Sequence, residues 1–215
     1  MKKKYLKKIP VFDFVVGKEE KKLVNNCLNT SSIGQGFYVN KFEKKFSNFV
    51  ECKYGITTTS GTTALHLSCK VLGIKKGDEV LVSSSTNMAS AFSVDYCGAI
   101  PIPIDIEKDT WQMDVKKIEE KINKRTKAIM VVHLFGHPVD MDHILKISKK
   151  YNLKIIEDCA EAHGVEYKGK KVGSFGDVAA FSFFANKTIT CGEGGMMVTN
   201  SKKLAEKAKS LKNMS

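Results

Sequence analysis

The sequence predicts an α/β fold, with a mostly parallel sheet flanked by helices. Short apolar runs rich in valine and isoleucine recur along the chain, and they alternate with segments whose apolar residues follow helical spacing. No internal repeat, low-complexity linker or second composition regime interrupts this pattern. Strands that are buried on both faces are continuous apolar runs, and parallel strands need crossover helices between them. We therefore expect one large domain of alternating strands and helices.

Six apolar runs are the predicted strands, and three segments between them are the predicted helices. The strands cover residues 79–83, 100–104, 128–134, 154–157, 178–183 and 195–199. The helices cover 62–72 after a Ser-Gly turn, 114–123 after a tryptophan-containing loop, and 141–151 after a proline. Two further segments have apolar residues at helical spacing, which indicates a core-facing stripe in the first and one face of a basic amphipathic helix in the second. These residues are Phe42, Phe46, Phe49 and Val50 in the first segment, and Leu204, Ala208 and Leu211 in the second.

The formal net charge of +12 over 215 residues raises the question of a nucleic-acid partner, because basic groups release counterions from phosphate backbones. Arg125 is the only arginine, however, so 34 of the 35 basic residues are lysines. Proteins that read nucleic acids depend on the planar, bidentate guanidinium. We therefore predict a solvated lysine surface and no nucleic-acid partner, which is compatible with a preference for anionic, phosphorylated substrates.

The six cysteines are scattered, with no C-x-x-C pair and no clustering with the five histidines. This spacing predicts reduced, mostly buried thiols and no metal site. The basic N-terminus, MKKKYLKKIPVFDF, is followed by an apolar stretch that is too short for a signal sequence or a membrane span. We expect a cytoplasmic protein without membrane contact, in which residues 1–16 are an N-terminal extension.

Lys187 stands alone in a stretch that is otherwise free of lysine. At this composition roughly 30 residues should contain about five lysines, yet Lys187 is the only one between Val172 and Ser201. Its surroundings, VAAFSFFANKTITCGEGG, are apolar and rich in glycine, and desolvation there favours an uncharged, nucleophilic amine. A lysine whose amine reaches the surface from a strand end would have the same pattern. Spacing alone leaves both interpretations open.

Asp158 and Glu161 follow the predicted strand 154–157, in KIIEDCAEAHG. In open α/β sheets the carboxyl ends of the strands face the ligand crevice. An acid at that place can keep the ring nitrogen of a pyridoxal cofactor protonated, so that the ring withdraws electrons from the substrate. The same acid could instead cap a following helix.

The start of the predicted helix 62–72, in TTTSGTTALHLS, is a third candidate feature. Free backbone N–H groups at such a helix start, with hydroxyls beside them, would form a phosphate site. Serine and threonine begin helices more commonly as simple caps. Two further polar residues are His163, at the end of EDCAEAHG, and Glu193, in CGEGG; they are interpreted as a satisfied structural histidine and as part of a tight glycine turn.

Three segments, taken in their order and at their separations along the chain, resemble the DegT/DnrJ/EryC1/StrS family of sugar aminotransferases, most closely its perosamine-synthase-like members. These segments are SGTTALHLS, EDCAEAHG and GSFGDVAAFSFFANKTITCGEGG. GDEVLVSSST, GAIPIPIDIEKDTW and RTKAIMVVHLFGHPVDMD are similar to the same family. The resemblance starts near Gly17. It implies that residues 17–215 form the cofactor-binding large domain of an aspartate-aminotransferase-like fold (fold type I), with pyridoxal 5′-phosphate (PLP) as cofactor.

The resemblance also implies roles for individual residues. Lys187 matches the lysine that forms a Schiff base with PLP, and Asp158 matches the acid that pairs with the pyridine nitrogen. Gly61 and Thr62 match the backbone donors to the cofactor phosphate, and Ser182 matches a hydroxyl that joins them.

Two positions depart from the common pattern of the family. Glu161 stands where many members have glutamine beside the phenolic oxygen of the cofactor. Asn87, in SSSTNMAS, stands where many members have an aromatic side chain that stacks on the pyridine ring.

The implied reaction moves an amino group from an amino-acid donor, L-glutamate, to a keto group of a nucleotide-linked deoxysugar, for polysaccharide assembly. A lysine at 187, where related dehydrases have histidine, favours amino transfer. Members of the family are roughly twice as long as a single domain of this size, so the C-terminal small domain is expected to be absent, and the homodimer belongs to the complete protein. The alternative is a truncated or split aminotransferase that needs a complementing chain.

Overall fold

The structure, a computed structural model, describes Pro10 and residues 12–213, so the predicted extension 1–16 lies largely outside the described residues. The described helices are α1 (Lys18–Asn29), α2 (Phe37–Phe49), α3 (Gly61–Val71), α4 (Met88–Asp95), α5 (Met141–Tyr151) and α6 (Lys202–Asn213). The described strands are β1 (Tyr54–Thr58), β2 (Glu79–Ser83), β3 (Ile100–Ile104), β4 (Thr126–Val132), β5 (Lys154–Asp158), β6 (Glu166–Tyr167), β7 (Lys170–Lys171), β8 (Val178–Ser182) and β9 (Gly195–Thr199).

Seven of these strands form one sheet in the order β1-β9-β8-β5-β4-β2-β3, and β6 and β7 form a separate hairpin. The pairs β2–β3, β2–β4, β4–β5 and β5–β8 are parallel, whereas β9 is antiparallel to both of its neighbours. The parallel strands therefore end at one edge of the sheet, and β9 begins at that edge. Loops from several strands meet there.

Helices cover both faces of the sheet, as the strand β8 illustrates. Val178 and Ala180 pack in a core cluster with residues of α3, α4 and α6. Ala179 and Phe181 point to the other face, where α2 packs. A third cluster places α5 on the same face as α2. The predicted α/β class, with a mostly parallel sheet between helices, is confirmed.

Local signals explain where the helices begin and end. Ser60 caps α3, because its hydroxyl accepts the Thr63 N–H at 3.1 Å. Asp140 caps α5, and Asn152, the residue directly after the helix, has a left-handed backbone with φ 52°. The helix predicted over 141–151 has these bounds, and the strands predicted over 79–83, 100–104 and 195–199 also match.

The prediction of one helix over 114–123 is wrong. The segment contains two short 3₁₀ turns, Val115–Lys117 and Glu119–Lys121. Its buried apolar residues, Val115 and Ile118, are three positions apart, which suits three residues per turn. The strand predicted over 128–134 lies two residues earlier, at Thr126–Val132, because Leu134 begins a further 3₁₀ turn.

The predicted core-facing stripe needs correction, because Phe46 and Val50 are buried but Phe49 is 47% exposed. The thiols are less buried than predicted, because only Cys52, Cys69 and Cys159 are fully buried and Cys191 is exposed. None of the described helices has the length and apolar content that crossing a bilayer requires.

Candidate active site

A cavity of about 340 Å³ opens at the edge of the sheet where the parallel strands end. The N-terminus of α3, the ends of β5 and β8 and the loop between β8 and β9 all reach it. Six of the seven predicted site residues line this cavity, and the seventh, Glu161, contacts one of them. The six residues are Gly61, Thr62, Asn87, Asp158, Ser182 and Lys187.

Asp158 is the last residue of β5, and its side chain is almost completely buried, at 4% exposure. Its Oδ2 accepts the Ser90 hydroxyl at 2.8 Å and its Oδ1 accepts the Ala160 N–H at 3.1 Å. Burial raises the pKa of the Asp158 carboxyl, while these two hydrogen bonds and the charge of Lys187 lower it. The described element directly after β5 is the hairpin strand β6, not a helix. The alternative that Asp158 caps a helix is therefore wrong.

Lys187 lies in the loop between β8 and β9, with a side chain that is 15% exposed. Its Nζ is 3.1 Å from Oε1 of Glu161, and Oε2 of Glu161 accepts the Phe135 N–H at 3.1 Å. The amine is therefore turned toward the cavity rather than toward bulk solvent. An amine and two carboxylates meet in one partly enclosed space.

The N-terminus of α3 provides backbone donors. In a helix the N–H groups of the first residues have no intrahelical acceptor, and Gly61 and Thr62 are the first two residues of α3. Gly61 allows α3 to approach β8 closely, because a Cβ at position 61 would lie 2.7 Å from the Cβ of Ser182 and 3.1 Å from its hydroxyl. Gly195 likewise allows a close approach, since a Cβ at position 195 would lie 2.1 Å from the Ser60 carbonyl oxygen. Two N–H groups and a hydroxyl are thus held side by side.

Asn87 has a structural contact in addition to its place at the cavity. It caps α4, because its Oδ1 accepts the Ala89 N–H at 3.0 Å, and it is exposed. Ser90, which contacts Asp158, was not predicted as a site residue, and Glu193, which lines the cavity, was predicted only as part of a turn. Ser90 stands in a run of serines with no local signal. The position of Glu193 six residues after Lys187 was the available signal.

His163 lies behind the cavity, with its ring against Phe46, Phe181 and Phe183. Among the described residues neither ring nitrogen makes a hydrogen bond of normal geometry, so the expectation of a satisfied histidine is wrong. Burial lowers the pKa of His163 to about 4, against a smaller effect of the Ser182 backbone that raises it, and the charge of Lys187 adds to the lowering. The histidine is neutral at pH 7 and packs as an aromatic side chain.

A second polar cluster lies on the opposite face of β5, where successive side chains alternate. His133, Glu157 and Cys159 bring potential ligand atoms within 4.8 Å of one another, which their scattered positions in the sequence did not predict. Glu157 already accepts hydrogen bonds from the N–H groups of Gly173 and Phe175 and from His133. Its oxygens anchor the chain that leads into β8.

Comparison with known proteins agrees with this geometry. The model of the DegT/DnrJ/EryC1/StrS aminotransferase family matches residues 15–215. Over 203 residues the chain is 52% identical to the GDP-perosamine synthase of Escherichia coli O157:H7. The aligned part covers 94% of this chain and 56% of that protein.

Solved structures show the same likeness. The aminotransferase of Psychrobacter cryohalolentis is 38% identical, with a TM-score of 0.90 over 94% of this chain and 52% of its own. The PLP form of Spr1654 from Streptococcus pneumoniae is 29% identical, with a TM-score of 0.89 over 94% of this chain and 57% of its own. A form of the same protein with pyridoxamine phosphate (PMP) has also been solved.

This chain thus spans little more than half the length of the relatives that it matches. The match nevertheless covers nearly all of its own residues, including every residue that lines the cavity. The chain belongs to the DegT/DnrJ/EryC1/StrS aminotransferase family.

Proposed function

We propose that this chain is the cofactor-binding part of a PLP-dependent aminotransferase that acts on a nucleotide-linked sugar. The amino group would pass from L-glutamate to a keto group of a deoxysugar. The observation that carries the proposal is the meeting of Lys187, Asp158 and the N-terminus of α3 at one cavity. The name of the E. coli relative, a GDP-perosamine synthase, supports a sugar nucleotide as substrate.

The residues at the cavity fit the chemical groups of PLP. A phosphate needs N–H and hydroxyl donors, which the start of α3 and Ser182 offer side by side because Gly61 has no Cβ. A pyridine nitrogen needs an acid, and Asp158 is a buried one. An aldehyde needs an amine, and Lys187 is the lysine at the cavity. The volume of about 340 Å³ lies within the roughly 300–1,000 Å³ range of small-molecule sites.

When bound, PLP supplies an electron sink that stabilises negative charge at the substrate carbon. The residues of this chain would bind, orient and move protons around it. Asp158, oriented by Ser90 and Ala160, would keep a proton on the ring nitrogen. The amine of Lys187 would take a proton from the substrate carbon and return it at a neighbouring atom, which is general acid–base catalysis.

Other residues would have supporting roles in this proposal. Gly61, Thr62 and Ser182 would hold the phosphate, which fixes the cofactor at one end. Glu161 holds the Lys187 amine at 3.1 Å and would lie beside the phenolic oxygen. Asn87 would lie at the face of the ring. Residues 17–215 would form the large domain of the whole protein, and a homodimer and a cytoplasmic location stay predictions from the sequence.

The incomplete coverage of the relatives favours a specific alternative. The chain aligns with only 56% of the E. coli relative, so the rest of that protein lies outside the match. The alternative is a fragment that holds the cofactor residues but needs a complementing chain for turnover. The two proposals differ in whether L-glutamate reacts.

The test is a spectroscopic titration of the purified chain with PLP. A visible absorption band should form as the cofactor joins Lys187. Lys187→Ala should abolish the band, whereas Lys203→Ala, at an exposed position on α6, should leave it unchanged. L-Glutamate should then bleach the band. A parent chain without the band contradicts the proposed cofactor, and a band that L-glutamate does not bleach supports the fragment.

A further inference from the structure

Ser90 is a buried hydroxyl on α4 that contacts the acid of the site. It is 0% exposed, and its Oγ donates to Oδ2 of Asp158 at 2.8 Å. The two residues are 68 positions apart, so α4 must pack on the sheet at this point to bring them together. Ser90 does not line the cavity itself.

The hydrogen atoms of this contact can be assigned by counting. An ionised carboxylate only accepts hydrogen bonds, and a serine hydroxyl has one proton to donate. If Ser90 donates to Asp158, its oxygen must accept from Thr86, whose Oγ1 lies 2.7 Å away. Thr86 and Ser90 thus form a chain of two hydroxyls that ends on the carboxylate, and such chains strengthen their final bond. Protonation of Asp158 would remove the acceptor that sets this direction.

The contact counteracts a specific difficulty of the site. Burial favours the neutral form of Asp158, and raises the pKa of its carboxyl. A protonated, neutral Asp158 has no negative charge with which to stabilise a protonated ring nitrogen. The Ser90 hydroxyl, the Ala160 N–H and the charge of Lys187 act in the opposite direction and favour the ionised form. Of these, Ser90 is the only side chain that hydrogen-bonds to Asp158 among the described residues.

We propose that Ser90, whose hydroxyl accepts a hydrogen bond from Thr86, is a positioning residue. It keeps Asp158 ionised and holds its carboxylate in place to pair with the ring nitrogen of the cofactor. This inference rests on the proposed function. It adds a residue that acts through Asp158 and not through direct contact with the cofactor.

The chain offers a matched control for Ser90. Ser93 lies on the same helix, is also 0% exposed, and donates its hydroxyl to the Ser90 carbonyl oxygen at 2.7 Å. Ser93→Ala therefore removes a buried hydroxyl from α4 without changing the donors to Asp158. Ser90→Thr keeps the hydroxyl, and Thr86→Val removes the supplying hydroxyl at nearly constant shape.

The first experiment uses the chain without cofactor. Carbon-13 NMR follows the side-chain carboxyl of Asp158 through a pH titration, with the signal assigned by its loss in Asp158→Asn. Ser90→Ala should raise the pKa of Asp158, and Thr86→Val should raise it less. Ser90→Thr should restore the parent value and Ser93→Ala should keep it. Equal pKa values in Ser90→Ala and Ser93→Ala would overturn the proposal.

The second experiment separates positioning from simple packing. PLP is compared with its 1-deaza analogue, in which a carbon replaces the ring nitrogen. Ser90→Ala should weaken PLP binding about tenfold, the scale of one hydrogen bond to a charged group, and should leave the affinity for the analogue within about twofold of the parent chain. An equal loss for both compounds would overturn the proposal. A parent chain that binds neither compound contradicts the proposed function, while the NMR titration still tests Ser90 on its own.

Discussion

Lys187 and Phe135 share one carboxylate, that of Glu161. Oε1 of Glu161 lies 3.1 Å from Nζ of Lys187, and Oε2 accepts the Phe135 N–H at 3.1 Å. Phe135 is 77% exposed and has a left-handed backbone with φ 51° and ψ 29°, which is costly for a bulky residue. The carboxylate that holds the candidate reactive amine therefore also holds a strained backbone at the edge of the sheet.

Amide hydrogen exchange at Phe135 tests this link. Glu161→Ala removes the acceptor of the Phe135 N–H, so exchange there should become roughly tenfold faster, the equivalent of about 1.4 kcal/mol. Glu161→Gln keeps an acceptor oxygen and should stay within about threefold of the parent chain. Similar acceleration in both variants would show that the charge of Glu161, and not its hydrogen bond, holds this segment.

Close packing of α3 against β8 predicts that a larger residue at position 61 destabilises the fold. Gly61→Ala places a Cβ 2.7 Å from the Cβ of the buried Ser182, and should lower the free energy of unfolding by about 1–3 kcal/mol. Gly34→Ala is the control, because its Cβ would meet no atom within 4 Å. Urea unfolding measures both variants. Adding Ser182→Gly to Gly61→Ala should recover part of the loss, and equal stability of the two alanine variants would contradict the close approach.

The buried Glu157 carboxylate should be important for stability. It is 0% exposed and accepts the N–H groups of Gly173, Phe175 and Gly176 at 2.6–2.8 Å, together with a ring nitrogen of His133. Glu157→Ala leaves these donors unpaired and should cost about 3 kcal/mol or more of unfolding free energy. Glu206→Ala, at an exposed pair on α6, should change it by less than about 0.5 kcal/mol. A loss below about 1 kcal/mol for Glu157→Ala would contradict the anchoring role.

His163 should make stability depend on pH in a defined window. Burial lowers its pKa from 6.5 to about 4, so between these values the unfolded chain binds more protons than the folded chain. The unfolding free energy should therefore fall as the pH drops from 6.5 to 4, by up to about 1.4 kcal/mol per pH unit from this residue. His163→Leu should flatten the profile in that window, whereas His143→Gln, at an exposed site, should not. An unchanged slope in His163→Leu would refute this assignment.

The elements that the sequence predicted are those with a strong local pattern. Strands β2, β3 and β9 are continuous apolar runs, and α5 lies between a capping aspartate and a left-handed asparagine. Helix α1 was not predicted, although Leu23, Val24, Cys27 and Leu28 follow helical spacing, and none of its side chains is buried. The 3₁₀ turns at 115–121 follow a spacing of three that a helical pattern resembles.

The site residues that could be predicted are those that stand in recognisable sequence motifs. The residues that were missed are those whose contacts join segments far apart in the chain. Asp158, Lys187 and Gly61 stand in motifs that are recognisable on their own. Ser90 meets Asp158 across 68 positions, and Glu157 meets the turn before β8 across 16–19 positions. Such pairs depend on how helices and loops pack on the sheet, which no local pattern encodes.

The identity of the lysine that joins the cofactor is the most direct test of the account. The chain is treated with PLP at limiting concentration, reduced with borohydride, digested and mapped by mass spectrometry. The chain has 34 lysines among its 35 basic residues, so the label has many competing positions. We expect Lys187 to be labelled first and to near completion. Label spread over exposed lysines, with little on Lys187, would contradict it.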